Sequence, residues 1–493
     1  MRKKSTFILL LILLNCQALI AQTGPETTKN EPVTKTLAIK ELQSDFDLLR
    51  QSITEAHGSL YRFTDSLSLN RTFDQYRAKL GTVHTKLAFI SLVSAMVAEP
   101  GDGHMRLEYD NATTAQIVSA RMFPFRVMLT DNRLMVVYNE TKEDTTIAPG
   151  MEIVSINGHK LAGLIALLLT KIPADGYIET GKRRKLERNF PQYYWLFADQ
   201  SDNFTVTTKD ANGQVISTNV SGVSASERIA NRNTNTINQK MLTALAKLEG
   251  PKGNFSLTFP EGTSIASLRI RTFDDSRFMS ELDSLFSLIN TKNPTALIVD
   301  LRGNGGGVDE YGAALVSHFT NKSFRYFDRI WIRSIAPSFA TWKPQTFEDL
   351  RQGTVRDVKG GYLVKPALHS GVGVQQPAAK PFTGKLIVLI DGGTFSTSAD
   401  VVAILGEVNQ PIFIGEETAG AREGNTSGLN ALIKLPYSGL SLKIQMYGYW
   451  NALKKQNKGR GTRPTYKVVN SITDLLNSRD RQWERALILG QTH

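Results

Sequence analysis

The chain has 493 residues, of which 41% are hydrophobic and 21% are charged, and its formal net charge is +12. This length predicts about two to four domains, and the composition is that of a globular protein rather than a disordered or fibrous one. The basic excess is spread along the chain, with a local cluster over 454–463 that lacks interleaved aromatic residues. A nucleic-acid platform is therefore excluded, and a solvated basic face or weak attraction to an anionic envelope membrane fits the pattern.

The first residues predict a secretory signal peptide over 1–21. Three basic residues precede about ten apolar ones, a run too short to span a bilayer, and the small residue Ala21 ends it. Cleavage leaves a charge of 12 − 3 = +9 and removes Cys16, the only cysteine, so the mature protein has no disulfide. We expect an exported protein, periplasmic or extracellular. Acylation of Cys16 is the weaker alternative, because Asn15 does not match the small residue usual before a lipoprotein cysteine.

Residues 22–36 are polar and predict a flexible leader, and residues 37–115 predict an N-terminal helical domain. Apolar residues then recur at the three- and four-residue spacing of an amphipathic helix: Leu42, Phe46, Leu49, Ile53 and Ala56. A second helical run covers 85–98 and stops at Pro100 and Gly101. The domain ends in the Pro/Gly-rich loop "EPGDGHMRLEY", which carries His104.

Residues 120–220 predict strands, a tight turn and a helix. The pair Asn157-Gly158 lies between apolar runs, and both residue types tolerate the positive φ that a tight turn needs. The order of strand, turn and helix resembles the C-terminal half of a PDZ-like domain, which binds a peptide as an added strand. An ordinary hairpin followed by a helix is the alternative.

Residues 225–490 alternate near-continuous apolar strands with helices, which predicts an α/β core with a mostly parallel sheet covered on both faces. Sites in such sheets form at the carboxyl ends of strands, where the chain carries the glycine loop 300–307 and a serine cluster. The loop lacks the Lys-Ser/Thr of a phosphate-binding loop and the third glycine of the dinucleotide motif. Its bare N–H groups suit an oxyanion or a phosphate, and a tight turn without function is the alternative.

The serine cluster "TFSTSAD" precedes a predicted helix, so Ser396 and Ser398 are each either an N-cap or a nucleophile at a helix N-terminus. A nucleophile needs a base, usually His or a buried Lys. His104 is a candidate because it lies in an irregular loop at the start of a strand. The histidines lack metal-ligand spacing, so we expect no metal site.

Taken together, "DGH", "INGH", "LIVDLRGNGGG", "TFSTSAD" and "IGEETAG" resemble the C-terminal processing peptidase, or tail-specific protease, family. The resemblance covers most of the mature chain and is best over 296–425. It implies a multidomain α+β serine peptidase with a crotonase/ClpP-like catalytic core, a PDZ-like domain and an N-terminal helical domain. It also implies that Ser396 is the nucleophile, with Ser398 second, and that the N–H groups of Gly306 or Gly307 and of Thr397 form the oxyanion hole.

The chain departs from the best-known members at the catalytic base. Their lysine aligns with Ala421, and Arg422 beside it stays protonated and cannot act as a base. Another branch of the family uses histidine from an N-terminal D-x-H segment, which implies His104 here. The acid that orients this histidine is not identifiable from the sequence. Glu416 and Glu417 are near in the motif, but a structural role for them is equally open.

We therefore expect an exported serine endopeptidase that acts on protein or peptide substrates and needs no metal or organic cofactor. A catalytically inactive, peptide-binding envelope protein of the same fold is the first alternative. The second is crotonase-like chemistry on acyl thioesters, which export disfavours because such esters are cytoplasmic. The pattern carries no signal for an oligomeric state.

Overall fold

A computed structural model describes residues 33–455 and 458–492. The predicted signal peptide 1–21, Cys16 and all of the leader before residue 33 lie outside the described residues. Within the described part of the chain, no helix has both the length and the apolar character needed to cross a membrane.

The N-terminal segment is helical, as the apolar spacing predicts. It contains α1 (Ile39–Ala56), α2 (Ser66–Ala78), α3 (Lys86–Ala98), β1 (Arg106–Glu108) and α4 (Asn111–Ser119). Thr85 precedes α3 as its N-cap, and its side chain accepts the N–H of Ala88.

The predicted 37–115 domain does not have a hydrophobic core of its own. Phe46 of α1 and Phe89 of α3 belong to the same buried cluster as Ile444, a residue more than three hundred positions later in the chain. Asp45 also accepts the N–H of Ser438 at 2.7 Å. These helices are therefore stabilised by packing on the 225–490 region, and their folding as a separate domain stays a prediction.

A second unit follows, with its own buried cluster around aromatic residues such as Phe123, Phe190 and Phe204. Its sheet has the order β2-β3-β4-β6-β7, with β5 paired to β4, and all of these pairings are antiparallel. The turn at Asn157 and Gly158 has φ values of 48° and 78°, as the sequence predicts. Its elements are β2 (Phe125–Thr130), β3 (Arg133–Asn139), β4 (Glu152–Ile156), β5 (His159–Lys160), α5 (Leu161–Leu169), α6 (Glu179–Phe197), β6 (Asn203–Lys209) and β7 (Val215–Ser221).

The 225–490 region, here called the catalytic region after its predicted role, is built on a sheet of order β20-β17-β16-β10-β9-β8. This sheet is parallel except for the edge pair β8–β9. Ile298 faces one buried cluster and its neighbour Val299 faces another, so the sheet is covered on both faces as predicted. The elements are α7 (Ala225–Thr234), α8 (Gln239–Glu249), β8 (Phe255–Thr258), β9 (Ile265–Ile270), α9 (Phe278–Lys292), β10 (Ala296–Asp300), α10 (Asp309–Ser317), β16 (Lys385–Ile390), α12 (Thr397–Val408), β17 (Ile412–Gly415), β20 (Tyr466–Lys467), α13 (Ile472–Leu476) and α14 (Arg481–Gln491).

A further antiparallel sheet, absent from the sequence-based expectations, packs beside the parallel one. Its order is β1-β19-β12-β14-β13, with β18 paired to β19. It joins β1 to β19 with Arg106 opposite Lys443, so the chain just after His104 is fixed to a strand far along the sequence. Its elements, with the helix between β12 and β13, are β12 (Phe327–Ile332), α11 (Pro344–Gly353), β13 (Thr354–Arg356), β14 (Tyr362–Val364), β18 (Thr426–Lys434) and β19 (Ser441–Asn451). Two further strands, β11 (Phe324–Arg325) and β15 (Val374–Gln375), pair with each other in a separate two-stranded sheet.

Candidate active site

Ser396 lies in the turn between the buried strand β16 and helix α12, directly before the first helical residue. Its backbone has φ 53° and ψ −135°, a conformation that costs a non-glycine residue about 1–3 kcal/mol. Side chains brace the turn: Asp391 Oδ1 accepts the N–H of Gly303 at 2.8 Å, and Thr394 Oγ1 donates to the carbonyl of Leu301 at 2.9 Å. The strained turn therefore holds the Ser396 hydroxyl at a helix N-terminus, where developing negative charge is stabilised.

His104 lies against this serine. Its Nε2 is 3.1 Å from Ser396 Oγ, and its ring stacks on Phe395 with centroids 4.4 Å apart. Burial lowers the pKa of His104 to about 4, although the charge of Asp102 opposes that shift. The imidazole is therefore neutral near pH 7, and its Nε2 can accept the serine proton.

Asp102 is the carboxylate nearest the other ring nitrogen of His104. Its Oδ1 is 3.9 Å from His104 Nδ1, and the Nδ1 atom has no hydrogen-bond partner among the described residues. The other oxygen, Oδ2, lies 2.9 Å from His57 Nε2. Burial opposes ionisation of Asp102, but the hydrogen bond and charge of His57, together with His104, hold its pKa below the usual value. Asp102 can thus stabilise the protonated form of the imidazole by its charge.

Asp175 is a second buried carboxylate in this cluster. Its oxygens accept the N–H groups of Gly103 at 2.8 Å and Ala421 at 3.2 Å. Burial, reinforced by the charge of Asp102, raises the pKa of Asp175 to about 7. Lys185 Nζ donates to the carbonyl of Gly103 at 2.8 Å, so both groups fix the loop that carries His104.

One group among the described residues has ligand atoms close enough together to hold a metal ion. It consists of Asp102, His104 and Asp175, whose ligand atoms all lie within 4.8 Å of one another. The oxygens of both carboxylates already accept hydrogen bonds from His57 or from backbone N–H groups. The trio therefore fits a hydrogen-bonded acid–imidazole cluster better than a metal centre.

Of the two roles left open for Glu416 and Glu417, the contacts favour the structural one over orientation of the histidine. Glu416 Oε2 accepts from Arg184 at 2.8 Å, and Glu417 pairs with Arg460 and accepts the N–H of Gly461. Both carboxylates are neutralised by arginine, and no described hydrogen bond or ion pair joins either to His104. The carboxylate nearest to His104 Nδ1 is instead Asp102, the first residue of the D-x-H segment in the sequence.

The two glycines predicted as oxyanion donors differ in whether their N–H group is already hydrogen-bonded. The N–H of Gly306 donates to Asn304 Oδ1 at 2.9 Å, so Gly306 is not an oxyanion donor, contrary to that alternative. Among the described hydrogen bonds, the N–H groups of Gly307 and Thr397 donate to no acceptor. The Thr397 hydroxyl lies 2.7 Å from the carbonyl of Gly307, which ties the loop to the start of α12. These two N–H groups remain candidates for the oxyanion hole.

Gly306 has a steric role instead. Its φ is +99°, and a Cβ there would lie 2.7 Å from Ser396 Cβ and 2.9 Å from the Thr397 nitrogen. Only glycine lets the loop approach the serine this closely.

Ser398 is on the first turn of α12. It is fully buried, and its Oγ has no hydrogen-bond partner among the described residues. No described hydrogen bond links it to His104, whereas Ser396 has one. The geometry therefore favours Ser396 over Ser398 as the nucleophile.

A cleft of about 490 Å³ opens beside the His104 and Phe395 rings. Its walls combine apolar and aromatic side chains, such as Tyr193 and Phe197, with cationic ones, such as Lys171 and Lys185. Such a cleft can hold an apolar side chain next to the serine.

The same region matches a known protein family. Residues 264–468, which include Ser396 but not His104, match the model of Peptidase family S41. The fold resembles the crystal structure of mature CPAF, with a TM-score of 0.64 at 14% identity, over 92% of this chain and 97% of that one. Mature CPAF complexed with lactacystin gives 0.63 at 13% identity, over 92% and 98%. No curated protein matches the chain.

The family match and the fold define a serine-type peptidase with a multidomain α+β architecture. Residues 264–468 therefore resemble a domain of Peptidase family S41. The predicted resemblance to C-terminal processing peptidases is confirmed at the level of this family.

Proposed function

We propose that the protein is an exported serine endopeptidase that hydrolyses peptide bonds of protein substrates with Ser396 as nucleophile and His104 as base. The observation that carries the proposal is the 3.1 Å contact between His104 Nε2 and Ser396 Oγ at the N-terminus of α12. Export rests on the basic-then-apolar N-terminal pattern that ends at Ala21. Weak attraction of the basic surface to an anionic envelope membrane is part of the same proposal.

In this mechanism Ser396 Oγ attacks the peptide carbonyl while its proton passes to His104 Nε2. Asp102 stabilises the imidazolium that forms. The oxyanion of the tetrahedral intermediate accepts the N–H groups of Gly307 and Thr397, each of which contributes on the order of 3 kcal/mol. His104 then returns the proton to the leaving amine. In the second half of the reaction a water molecule attacks the acyl-enzyme ester, its proton passes to His104, and His104 returns the proton to Ser396 Oγ as the ester bond breaks.

The 120–220 unit is proposed to be PDZ-like and to present the substrate chain. Its strand β2 is at the edge of the sheet, where an added peptide strand would pair. At present the N–H of Leu129 on this edge donates to Glu187 Oε1 of α6 at 2.8 Å. A peptide that pairs along β2 must therefore replace this side-chain contact.

The test uses purified mature protein, a fluorophosphonate probe and mass spectrometry of the adduct. We expect modification of Ser396 that is absent in Ser396→Ala and strongly reduced in His104→Ala, together with cleavage of unfolded casein. Ser398→Ala is the matched control and should label like wild type. A folded wild-type protein that neither labels nor cleaves casein would favour the inactive peptide-binding alternative. Export is tested separately by measuring the mass of the N-terminal peptide of the secreted protein, which should begin after Ala21.

A further inference from the structure

A second cavity lies apart from the cleft beside His104. It has a volume of about 480 Å³ and alternates cationic with aromatic side chains, here called the arginine pocket: Tyr61, Arg62, Arg329, Trp331, Arg333 and Trp450. None of the residues proposed to act in catalysis lines it. Its walls come from the segment after α1, from the chain in and around strands β12 and β14, and from β19, so four parts of the chain build it.

The positive charge of the arginine pocket is poorly neutralised. Among the described ion pairs, neither Arg62 nor Arg333 has a carboxylate partner, and Arg329 pairs only with Asp328, a half-exposed side chain, at 2.7 Å. Asp357 is the one acidic side chain in the lining. A concave surface with this excess attracts anions and holds them by charge.

Arg62 is the most constrained of these cations. Its Nη2 donates to the carbonyl of Tyr449 at 2.6 Å, while Nε and Nη1 are buried and have no hydrogen-bond partner among the described residues. Burial lowers its pKa to about 10 against the attraction of four buried carboxylates, of which Asp175 acts most strongly. A buried cation with unmet donors is costly, and an anion nearby reduces that cost.

Aromatic rings hold the guanidinium groups in fixed orientations. Arg62 and Arg329 lie 4.2 and 4.6 Å from the ring centroid of Trp450, and Arg333 lies 5.2 Å from that of Tyr61. A stacked guanidinium keeps its in-plane N–H groups available for two parallel hydrogen bonds to a carboxylate. Because the rotamers are already fixed by stacking, little side-chain entropy is lost on binding.

We propose that the arginine pocket binds the carboxylate groups of an acidic peptide segment. A peptide fits better than a nucleic acid, because Trp450, the ring nearest to two guanidinium groups, is already covered and leaves little face for a base to stack on. Leu363 and Trp331 supply apolar surface for the intervening side chains. Arg333 Nε also donates to the carbonyl of His57 at 3.3 Å, so the pocket adjoins the segment that holds Asp102.

The test measures binding by the full-length Ser396→Ala protein, so it does not depend on catalysis. The probe is fluorescein-labelled hexaglutamate with an amidated C-terminus, followed by fluorescence anisotropy. Arg333→Gln should weaken binding about tenfold, the effect of losing one charged hydrogen-bonded contact. Arg71→Gln, which removes an exposed cation of α2 outside the pocket, should change the affinity less than about twofold.

Further probes test whether the pocket recognises side-chain carboxylates or a C-terminal carboxylate. Hexaglutamine should not bind, and raising salt from about 50 to about 200 mM should weaken hexaglutamate binding. A hexaglutamine with a free C-terminus that binds as well as hexaglutamate would assign the pocket to chain termini instead of acidic side chains, and would overturn the proposal as stated. Equal effects of Arg333→Gln and Arg71→Gln, or tighter binding of an oligouridylate, would overturn it too. Arg329→Gln, at a more exposed position, replaces Arg333→Gln if that variant does not fold.

Discussion

Replacement of the Asp102 carboxylate by an amide tests the catalytic cluster most directly. Asp102→Asn removes one charge while leaving the shape and one acceptor oxygen in place. The oxygen is 3.9 Å from His104 Nδ1, and at an effective dielectric of about 20 two unit charges at that distance attract by about 4 kcal/mol. This attraction develops only when His104 becomes protonated in the transition state, so kcat should fall by about 10³-fold.

The assay is cleavage of fluorescein-labelled casein, with the active fraction set by fluorophosphonate labelling. Asp175→Asn is the matched control, because Asp175 is equally buried in the same cluster. Its pKa of about 7 means that it is largely neutral near pH 6. At that pH its loss should reduce kcat far less than the loss of Asp102. Thermal melting of both variants establishes that each is folded.

Two results would refute this reasoning. A folded Asp102→Asn variant within about tenfold of the wild-type kcat would mean that Asp102 does not stabilise the imidazolium. A larger loss in Asp175→Asn than in Asp102→Asn would transfer that role to Asp175.

Three further changes follow from buried contacts. Ser398→Ala should leave kcat/KM within about twofold and stabilise the fold by about 1 kcal/mol, because it removes a buried hydroxyl without a partner; urea unfolding measures it. Gly306→Ala should reduce probe labelling of Ser396 by at least about 10²-fold, because its Cβ would lie 2.7 Å from the serine Cβ. Asp175 has a folded-state pKa of about 7 against its usual 3.8, so the folded state binds more protons between these values and stability falls as pH rises through them. The loss reaches up to about 4 kcal/mol near pH 8, and Asp175→Asn should flatten the profile measured by urea unfolding.

Each of these has a contrary outcome. Loss of labelling in Ser398→Ala would indicate that Ser398, and not Ser396, is the nucleophile. A Gly306→Ala protein that labels at the wild-type rate would mean that the loop can move away from the serine. Wild-type stability that is constant or rises from about pH 5 to about pH 8 would contradict the protonated Asp175.

The sequence by itself determined the local elements of the catalytic region. The run "KLIVLI" forms β16, and α12 begins at Thr397, directly after the serine that the motif singled out. These features follow from short-range causes: apolar residues in a continuous run make a strand buried on both faces, and the hydroxyl-rich turn begins a helix. The D-x-H segment likewise indicated His104 without any knowledge of its distance from Ser396.

Only the tertiary structure decided which groups near these residues are free to act. Asn304 occupies the N–H of Gly306 and leaves that of Gly307, and Arg184 pairs with Glu416 and leaves Asp102 beside the histidine. The Asn304 contact spans only two residues, but the conformation of the loop decides which glycine it reaches, and the pair of Arg184 and Glu416 joins segments far apart in the chain. Neither choice is visible in the sequence, where adjacent glycines and neighbouring carboxylates look alike.

The same reason explains the N-terminal helices and the arginine pocket. The apolar faces of α1 and α3 are plain in the sequence, but spacing alone does not reveal that they pack on β19 and its neighbours rather than on one another alone. The arginines at 62, 329 and 333 are ordinary charges until β12, β19 and the segment after α1 bring them together around Trp450. Local pattern determines which face of an element is buried, and long-range packing determines what that face meets.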